Sequence, residues 1–331
     1  MNIHDVAKRS GLSVVTVSRV INNSPTVREA NRQKVLKAME ELNYQPNSAA
    51  QSLVRGKTGI IGMSITNLND SFYDRVIKVA NRKLADQGYF LALSISENEG
   101  EGDINNFLFQ RDRVDGIILL SPIEEEQYVA ELKKKKIPFI LLDNQYEHDD
   151  VSSVVVDNFQ GGYDATKHLL DLGHTRIAHI GGPTIFLSAA ERKRGYMKAL
   201  ADAGLTPFAI EYSGFTVSSG YEVAKKWIRE DALPTAIFAG DDFIALGVVH
   251  ALREEGVRVP QDLSVVGFDD QQLAGEFYPR LTTVRQPEAQ MAGIGVDLLL
   301  RQINGQMEAP TVTKLSPKLL VRESTAYLKQ S

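Results

Sequence analysis

Val14, Val15, Thr16, Ser18 and Arg19 lie within a single stretch of six residues near the start of the chain. An arginine fork matches the O6 and N7 acceptors of guanine, and β-branched apolar side chains match the thymine methyl. Short hydroxyl side chains suit phosphate oxygens. Together the five residues make a candidate surface for reading DNA.

Such a surface needs a helix to carry it and a second helix to brace it. Residues 3–10 place Ile3, Val6 and Ala7 on one face, at helical spacing. Gly11 supplies the left-handed residue that ends a helix, and Ser13 can cap a second helix over 14–21. That helix turns Val17, Val20 and Ile21 inward. Two short helices joined by a glycine turn form a helix-turn-helix whose second helix fits the major groove. A third helix over 28–42, with Val35, Ala38 or Met39, and Leu42 facing in, closes a small core. A bundle that binds nothing would explain most of this pattern, but burial alone would not place both Val14 and Val15 at an exposed helix start.

Charge separates the chain in the same place. Residues 1–57 carry nine Lys and Arg against four acids, while the remainder carries 28 against 38, although the whole chain of 331 residues is at −5. A basic head on an acidic body suits a protein that touches phosphate with one end. Cysteine is absent, which excludes disulfides, thiolate metal sites and cysteine nucleophiles. No cofactor is expected. The N-terminus has no apolar run, and no stretch approaches the roughly 20 apolar residues of a membrane span. A cytoplasmic protein, associated with the nucleoid through DNA, is expected.

Beyond residue 58 apolar runs recur at 59–65, 90–95, 116–120, 139–142, 154–156, 176–180, 236–239 and 264–268, mostly separated by amphipathic helical patterns. Repeated βα units of this kind imply parallel sheets covered on both faces. Ligands in such sheets sit beyond the carboxyl ends of the strands. A nucleotide-dependent enzyme, a periplasmic-type binding protein and a ligand sensor all fit that body. No glycine-rich phosphate loop, nucleophile elbow or zinc-binding His-Glu-x-x-His is present, which disfavours an enzyme.

Asp5-Val6-Ala7, Gly11-Leu12-Ser13 and Thr16-Val17-Ser18-Arg19-Val20-Ile21-Asn22 resemble the signature of the lactose-repressor (LacI) family of bacterial transcription regulators. Glu41-Leu42-Asn43-Tyr44-Gln45-Pro46-Asn47 and the following Ser48 to Leu53 continue it in register. Further matches run through the body: Asp157-Asn158, Gly161-Gly162, Glu191-Arg192-x-x-Gly195-Tyr196, Asp241-Asp242, Val266-Gly267-Phe268-Asp269-Asp270 and Leu281 to Gln286. The resemblance covers nearly the whole chain. It implies an all-α helix-turn-helix head (1–45), a hinge helix and linker (46–57), and a periplasmic-binding-protein-like α/β core (58–331). One subdomain of that core would hold about 58–157 and 288–315, the other about 158–287 and 316–331.

The same resemblance puts Val14, Val15 and Arg19 at base-reading positions and adds Asn47 and Leu53 to the DNA contacts. Ala49, Ala50, Leu53 and Val54 form an apolar stripe on a helix too short to be stable alone. A leucine wedge in the minor groove would unstack a base step and bend the duplex. For the effector, it implies Arg192, Asp241 and Asp269 as polar contacts, with Phe72, Tyr73 and Phe215 as an aromatic or apolar wall. Such a set suits a sugar, with charged partners for hydroxyls and rings against C–H faces; a purine or an acidic sugar is the alternative. Each aspartate could instead cap a helix, and Asp242 is expected to cap or brace its own. Asp70-Ser71 stand where many family members have Asn-Pro, so the loop before Phe72 is expected to depart from the family path. His174 is read as structural.

The resulting expectation is a homodimeric, ligand-responsive repressor of carbohydrate-utilisation genes on a pseudo-palindromic operator. Ligand could release or strengthen DNA binding. The rival is a cytoplasmic sugar-binding or sugar-modifying enzyme with a helical head.

Overall fold

The computed structural model describes residues 1–22, 24–45, 57–66, 68, 71–95, 108, 110, 112–146, 148–307 and 309–329. Asn47 and Leu53 therefore lie outside the described residues. The chain divides into two compact units, Met1–Gly59 and Ile60–Ser331.

In the first unit, α1 (Ile3–Ser10), α2 (Val14–Ile21) and α3 (Glu29–Glu41) surround a core of Val6, Ala7, Val17, Val20, Val35 and Ala38. Asn2 and Asp5 form a reciprocal capping box at the start of α1, satisfying two otherwise orphaned N–H groups. Gly11 ends α1 at φ 67°, a left-handed conformation that a Cβ would strain. Ser13 Oγ accepts from Thr16 N at 3.2 Å and so starts α2. The turn between α2 and α3 is held by Arg32, which donates to Ser24 O at 2.9 Å. Each fully buried valine contributes roughly 1.5–3 kcal/mol of burial, which matters in so small a core. On α3 Val35 and Ala38 are buried, while Met39 and Leu42 pack from the rim.

The second unit holds two six-stranded sheets. The first collects β1 (Ile60–Ile65), β2 (Phe90–Ile95), β3 (Gly116–Leu120), β4 (Phe139–Leu142), β5 (Ser153–Val156) and β11 (Val312–Leu315). The second collects β6 (Ile177–Gly181), β7 (Ala209–Tyr212), β8 (Ala236–Ala239), β9 (Ser264–Asp269), β10 (Thr282–Arg285) and β12 (Lys318–Leu320). Their orders are β11-β5-β4-β3-β1-β2 and β12-β10-β9-β8-β6-β7, the same pattern twice. The helices are α4 (Ser71–Asp86), α5 (Glu125–Lys135), α6 (Asn158–Asp171), α7 (Leu187–Asp202), α8 (Val217–Arg229), α9 (Asp242–Glu254), α10 (Gln272–Glu276) and α11 (Glu288–Ile303).

The chain passes between sheets three times, along α6, along α11, and through Ser316-Pro317. All pairings are parallel except β10 with β12. The central strands β3, β4, β6, β8 and β9 are buried along their whole length, which is why they read as unbroken apolar runs.

Helices α6 and α7 approach unusually closely. A Cβ on Gly162 would lie 2.1 Å from Arg192 O, and one on Gly195 would lie 2.1 Å from Phe159 O. The two glycines thus set the position of α7, and with it the side chain of Arg192.

Candidate ligand cleft and nucleic-acid interface

The carboxyl ends of both sheets open on one cleft of about 330 Å³. Phe72, Tyr73, Arg192, Phe215, Asp241 and Asp269 all line it, although they come from two helices, two loops and one strand end and lie up to 197 positions apart in sequence. Arg192 on α7 is buried at 4% exposure. Its Nε donates to Asn158 Oδ1 at 2.9 Å, its Nη1 to Gly240 O at 2.6 Å and its Nη2 to Asp269 Oδ1 at 3.0 Å. The guanidinium also lies 3.7 Å from the centroid of the Phe268 ring. A guanidinium has five N–H donors, so two remain for a ligand.

Asp269 closes β9 with φ 102°, a costly conformation for a residue with a Cβ. Its Oδ1 accepts from both Arg192 and Gln286 Nε2, the latter at 2.5 Å. Its Oδ2 has no protein partner among the described residues. Asp241 is the N-cap of α9, one oxygen accepting from Ile244 N at 2.7 Å; the capping role and the place on the cleft belong to the same side chain. Asp242 does not cap. It is fully buried, accepts from Thr283 Oγ1 at 2.6 Å and from Gln271 N at 2.7 Å, and so braces the β9–α10 and β10 segments. Burial pushes its carboxyl well above the ordinary range, aided by the nearby Asp269.

Aromatic rings also line the cleft. Phe72 and Tyr73 meet edge to face at 5.5 Å, and Phe186 and Phe215 lie 5.8 Å apart. Ser71 opens α4 directly, so both aromatics reach the cleft despite the Asp-Ser that precedes them, and Tyr73 Oη bonds Thr66 Oγ1 at 2.8 Å.

Sequence reasoning missed Ser121, Asp143 and Gln286, which also line the cleft. Each follows the end of a strand, so the strand-end rule applied throughout would have found them. Asp143 sits at φ 53° and accepts from Ser121 Oγ at 2.8 Å. Burial raises its pKa, opposed by that hydrogen bond and by the charge of Arg192. His174 is structural: it bonds Ser264 Oγ and Ala326 O, tying the C-terminal segment to β9. Among the described residues no group of His, Asp and Glu is arranged to hold a metal ion, and no helix is long and apolar enough to cross a membrane.

In the first unit α2 presents Val15 at 60% exposure, with Arg19 exposed one turn later and in no ion pair among the described residues. Val14 differs from the expectation. It is half-buried and packs on the edge of the head's core, so packing accounts for one of the two valines. Thr16 Oγ1 bonds Ser13 Oγ at 2.9 Å, and Asn22 Nδ2 reaches Ser18 O at 3.0 Å. Both hydroxyl residues are half-exposed on the same helix.

Residues 2–47 match the model of the lacI family of bacterial regulatory proteins, and residues 166–325 match the periplasmic binding protein-like domain. The chain is 34% identical to catabolite control protein A of Priestia megaterium, over 98% of this chain and 99% of that protein. It is 35% identical to the HTH-type transcriptional regulator DegA of Bacillus subtilis (strain 168), covering 98% of each. The chain belongs to the LacI family. Among solved structures, the lac repressor dimer bound to operator and the anti-inducer ONPF superposes with a TM-score of 0.89 at 30% identity, over 98% of this chain and 99% of that one. The complex of the transcriptional regulator CelR with cellobiose gives 0.76 at 31% identity, with the same coverage. This LacI-family chain is thus a DNA-binding transcription regulator and not an enzyme, with a helix-turn-helix head and a two-subdomain α/β core.

Proposed function

We propose that the protein is a homodimeric repressor of carbohydrate-utilisation genes whose hold on a pseudo-palindromic operator is set by a sugar in the cleft. The observation that carries the proposal is the buried pair of Arg192 on α7 and Asp269 at the end of β9, in a cleft that aromatic rings also line. Two guanidinium donors and one carboxylate oxygen stay available there for hydroxyls, and the rings of Phe72, Tyr73 and Phe215 offer flat apolar surface. Relatives of the same fold are described with cellobiose and with ribose. Asp241 contributes an acceptor beside its capping role.

In the head, Arg19 and Val15 read base edges, Val14 supports them at the protein–DNA boundary, and Thr16 and Ser18 touch phosphates. On the family resemblance Asn47 adds a contact and Leu53 a minor-groove wedge, and this work on DNA is cytoplasmic. Dimerisation pairs two heads with two half-sites.

Selection of operators from random DNA, with and without a panel of sugars, tests both halves. A palindrome whose occupancy shifts with one sugar supports the proposal and gives the sign of the effect. A palindrome indifferent to every sugar removes the sugar. Failure to select any sequence at low salt removes the base-reading assignment.

A further inference from the structure

The two subdomains repeat one another at the loop after their third strand in sheet order. β4 runs into its loop as Phe139-Ile140-Leu141-Leu142-Asp143-Asn144-Gln145, and β9 runs into its loop as Val265-Val266-Gly267-Phe268-Asp269-Asp270-Gln271. The correspondence is physical as well as textual. Asp143 and Asp269 both take positive φ and both line the cleft. The backbone N–H of Gln145 donates to Glu125 at 2.7 Å, and that of Gln271 donates to Asp242 at 2.7 Å. Both acids are fully buried and both lie at the start of the helix that follows the preceding strand of the sheet, α5 and α9.

Each glutamine side chain then leaves its own subdomain. Gln145 Oε1 accepts from Leu187 N at 2.8 Å, the first residue of α7, whose N-cap Phe186 offers no side-chain bond. Gln271 Oε1 accepts from Ser71 N at 3.0 Å, the first residue of α4, and from the Ser71 hydroxyl. Helix starts have unsatisfied N–H groups, and here the other subdomain satisfies one in each direction. The capped helices carry the cleft walls: Phe72 and Tyr73 on α4, Ser188 and Arg192 on α7.

We propose that Gln145 and Gln271 are a reciprocal pair of positioning residues that latch the two subdomains across the cleft and so couple its closure to the placement of its walls. The pair is unequal. On the Gln271 side Arg75 of α4 also donates across the cleft to Asp269 O and Asp270 O, at 3.3 and 2.9 Å. On the other side Gln145 Nε2 turns back to Asp143 O within its own loop. Gln145 is therefore the weaker edge's principal fastening, and its loss opens the cleft further than loss of Gln271.

The inference rests on the cleft being the effector site, but its test uses no ligand, so a silent sugar panel and a failed latch are separate results. The chain has no cysteine, so Ala130→Cys on α5 and Ala201→Cys on α7 place one nitroxide on each subdomain of the full-length protein. Labelled protein is diluted with unlabelled protein so that distances within one protomer are read by pulsed electron spin resonance. Gln145→Met keeps the shape and removes the acceptor; it is expected to shift or broaden the distance distribution by ~2 Å or more, the scale of a real domain rearrangement. Gln271→Met shifts it less, and Gln145→Glu, which keeps an acceptor oxygen, restores the parent distribution. Hydrogen exchange of peptides containing Leu187 and Ser71 should accelerate only where the facing glutamine is lost. A Gln145→Met/Gln271→Met protein with parent distances and parent amide protection would overturn the proposal. Should the double variant fail to fold, a Gln145→Met distribution matching that of Gln145→Glu overturns it equally.

Discussion

The DNA-reading helix and the ligand cleft use their polar side chains in opposite ways. On α2, Arg19 and Val15 project from the surface, and Arg19 has no ion pair among the described residues. In the cleft, Arg192 spends three donors on the protein and Asp269 takes two bonds on one oxygen, both nearly buried. The head can leave its recognition groups loose because duplex DNA supplies a rigid template and a strong field of phosphates. A small ligand supplies neither, so its contacts must be held in place beforehand, and strained backbone at Asp143 and Asp269 is part of that cost. The contrast teaches where stability and function are separable in this chain.

The largest test of it is Arg192→Ala. Removing one partner leaves Asp269 buried and uncompensated, so a stability loss of about 3–5 kcal/mol is expected together with loss of ligand response. Denaturant unfolding measures the first, and a parent-like midpoint would break the contrast. Arg19→Ala should do the reverse, relaxing specificity at one base position by about 1–3 kcal/mol while unfolding at the parent midpoint. Unchanged sequence preference would remove Arg19 from the base-reading set.

Glu288 gives a pH test within the core. Burial raises its pKa to about 7, opposed by Arg75 and reinforced by Asp269 and Asp270. A carboxyl with a raised folded pKa stabilises the fold when protonated. That contribution is complete below the ordinary glutamate range and is lost as pH climbs towards 7. Parent stability minus that of Glu288→Gln should therefore fall with rising pH between 5 and 7, by at most about 1 kcal/mol per unit. A flat difference would mean that Glu288 is ionised throughout. The smallest effect compares the two valines. Val14→Ala should lower head stability by roughly 1 kcal/mol because Val14 packs on the core, whereas Val15→Ala should leave stability within about 0.5 kcal/mol and weaken DNA binding only.

Much of this was legible beforehand for identifiable reasons. The capping of α2 by Ser13 and the stop at Gly11 are local chemistry and need no tertiary partner. The buried central strands appear as apolar runs because both faces are covered. Strands β7, β11 and β12 escape the same reading, being three or four residues long and half-exposed at sheet edges. Val14 was misjudged because helical spacing alone does not tell a rim contact from an exposed face. Asp143 is legible by its place directly after β4, whereas its correspondence to Asp269 shows in the sequence only as a short stretch ending in Asp-Asn-Gln and Asp-Asp-Gln.

By itself, then, the sequence determined the helices of the head, the buried central strands, and the residue types gathered at strand ends, since each depends on propensity, capping or burial over a few neighbouring positions. Only the tertiary structure decided that Arg192 and Asp269 pair, that Asp241 and not Asp242 caps α9, and that two glutamines cross between subdomains to hold helix starts. The ion pair and the two crossings join residues 42 to 200 positions apart, and no local periodicity encodes which buried donor will meet which acceptor once the sheets have stacked their helices around them.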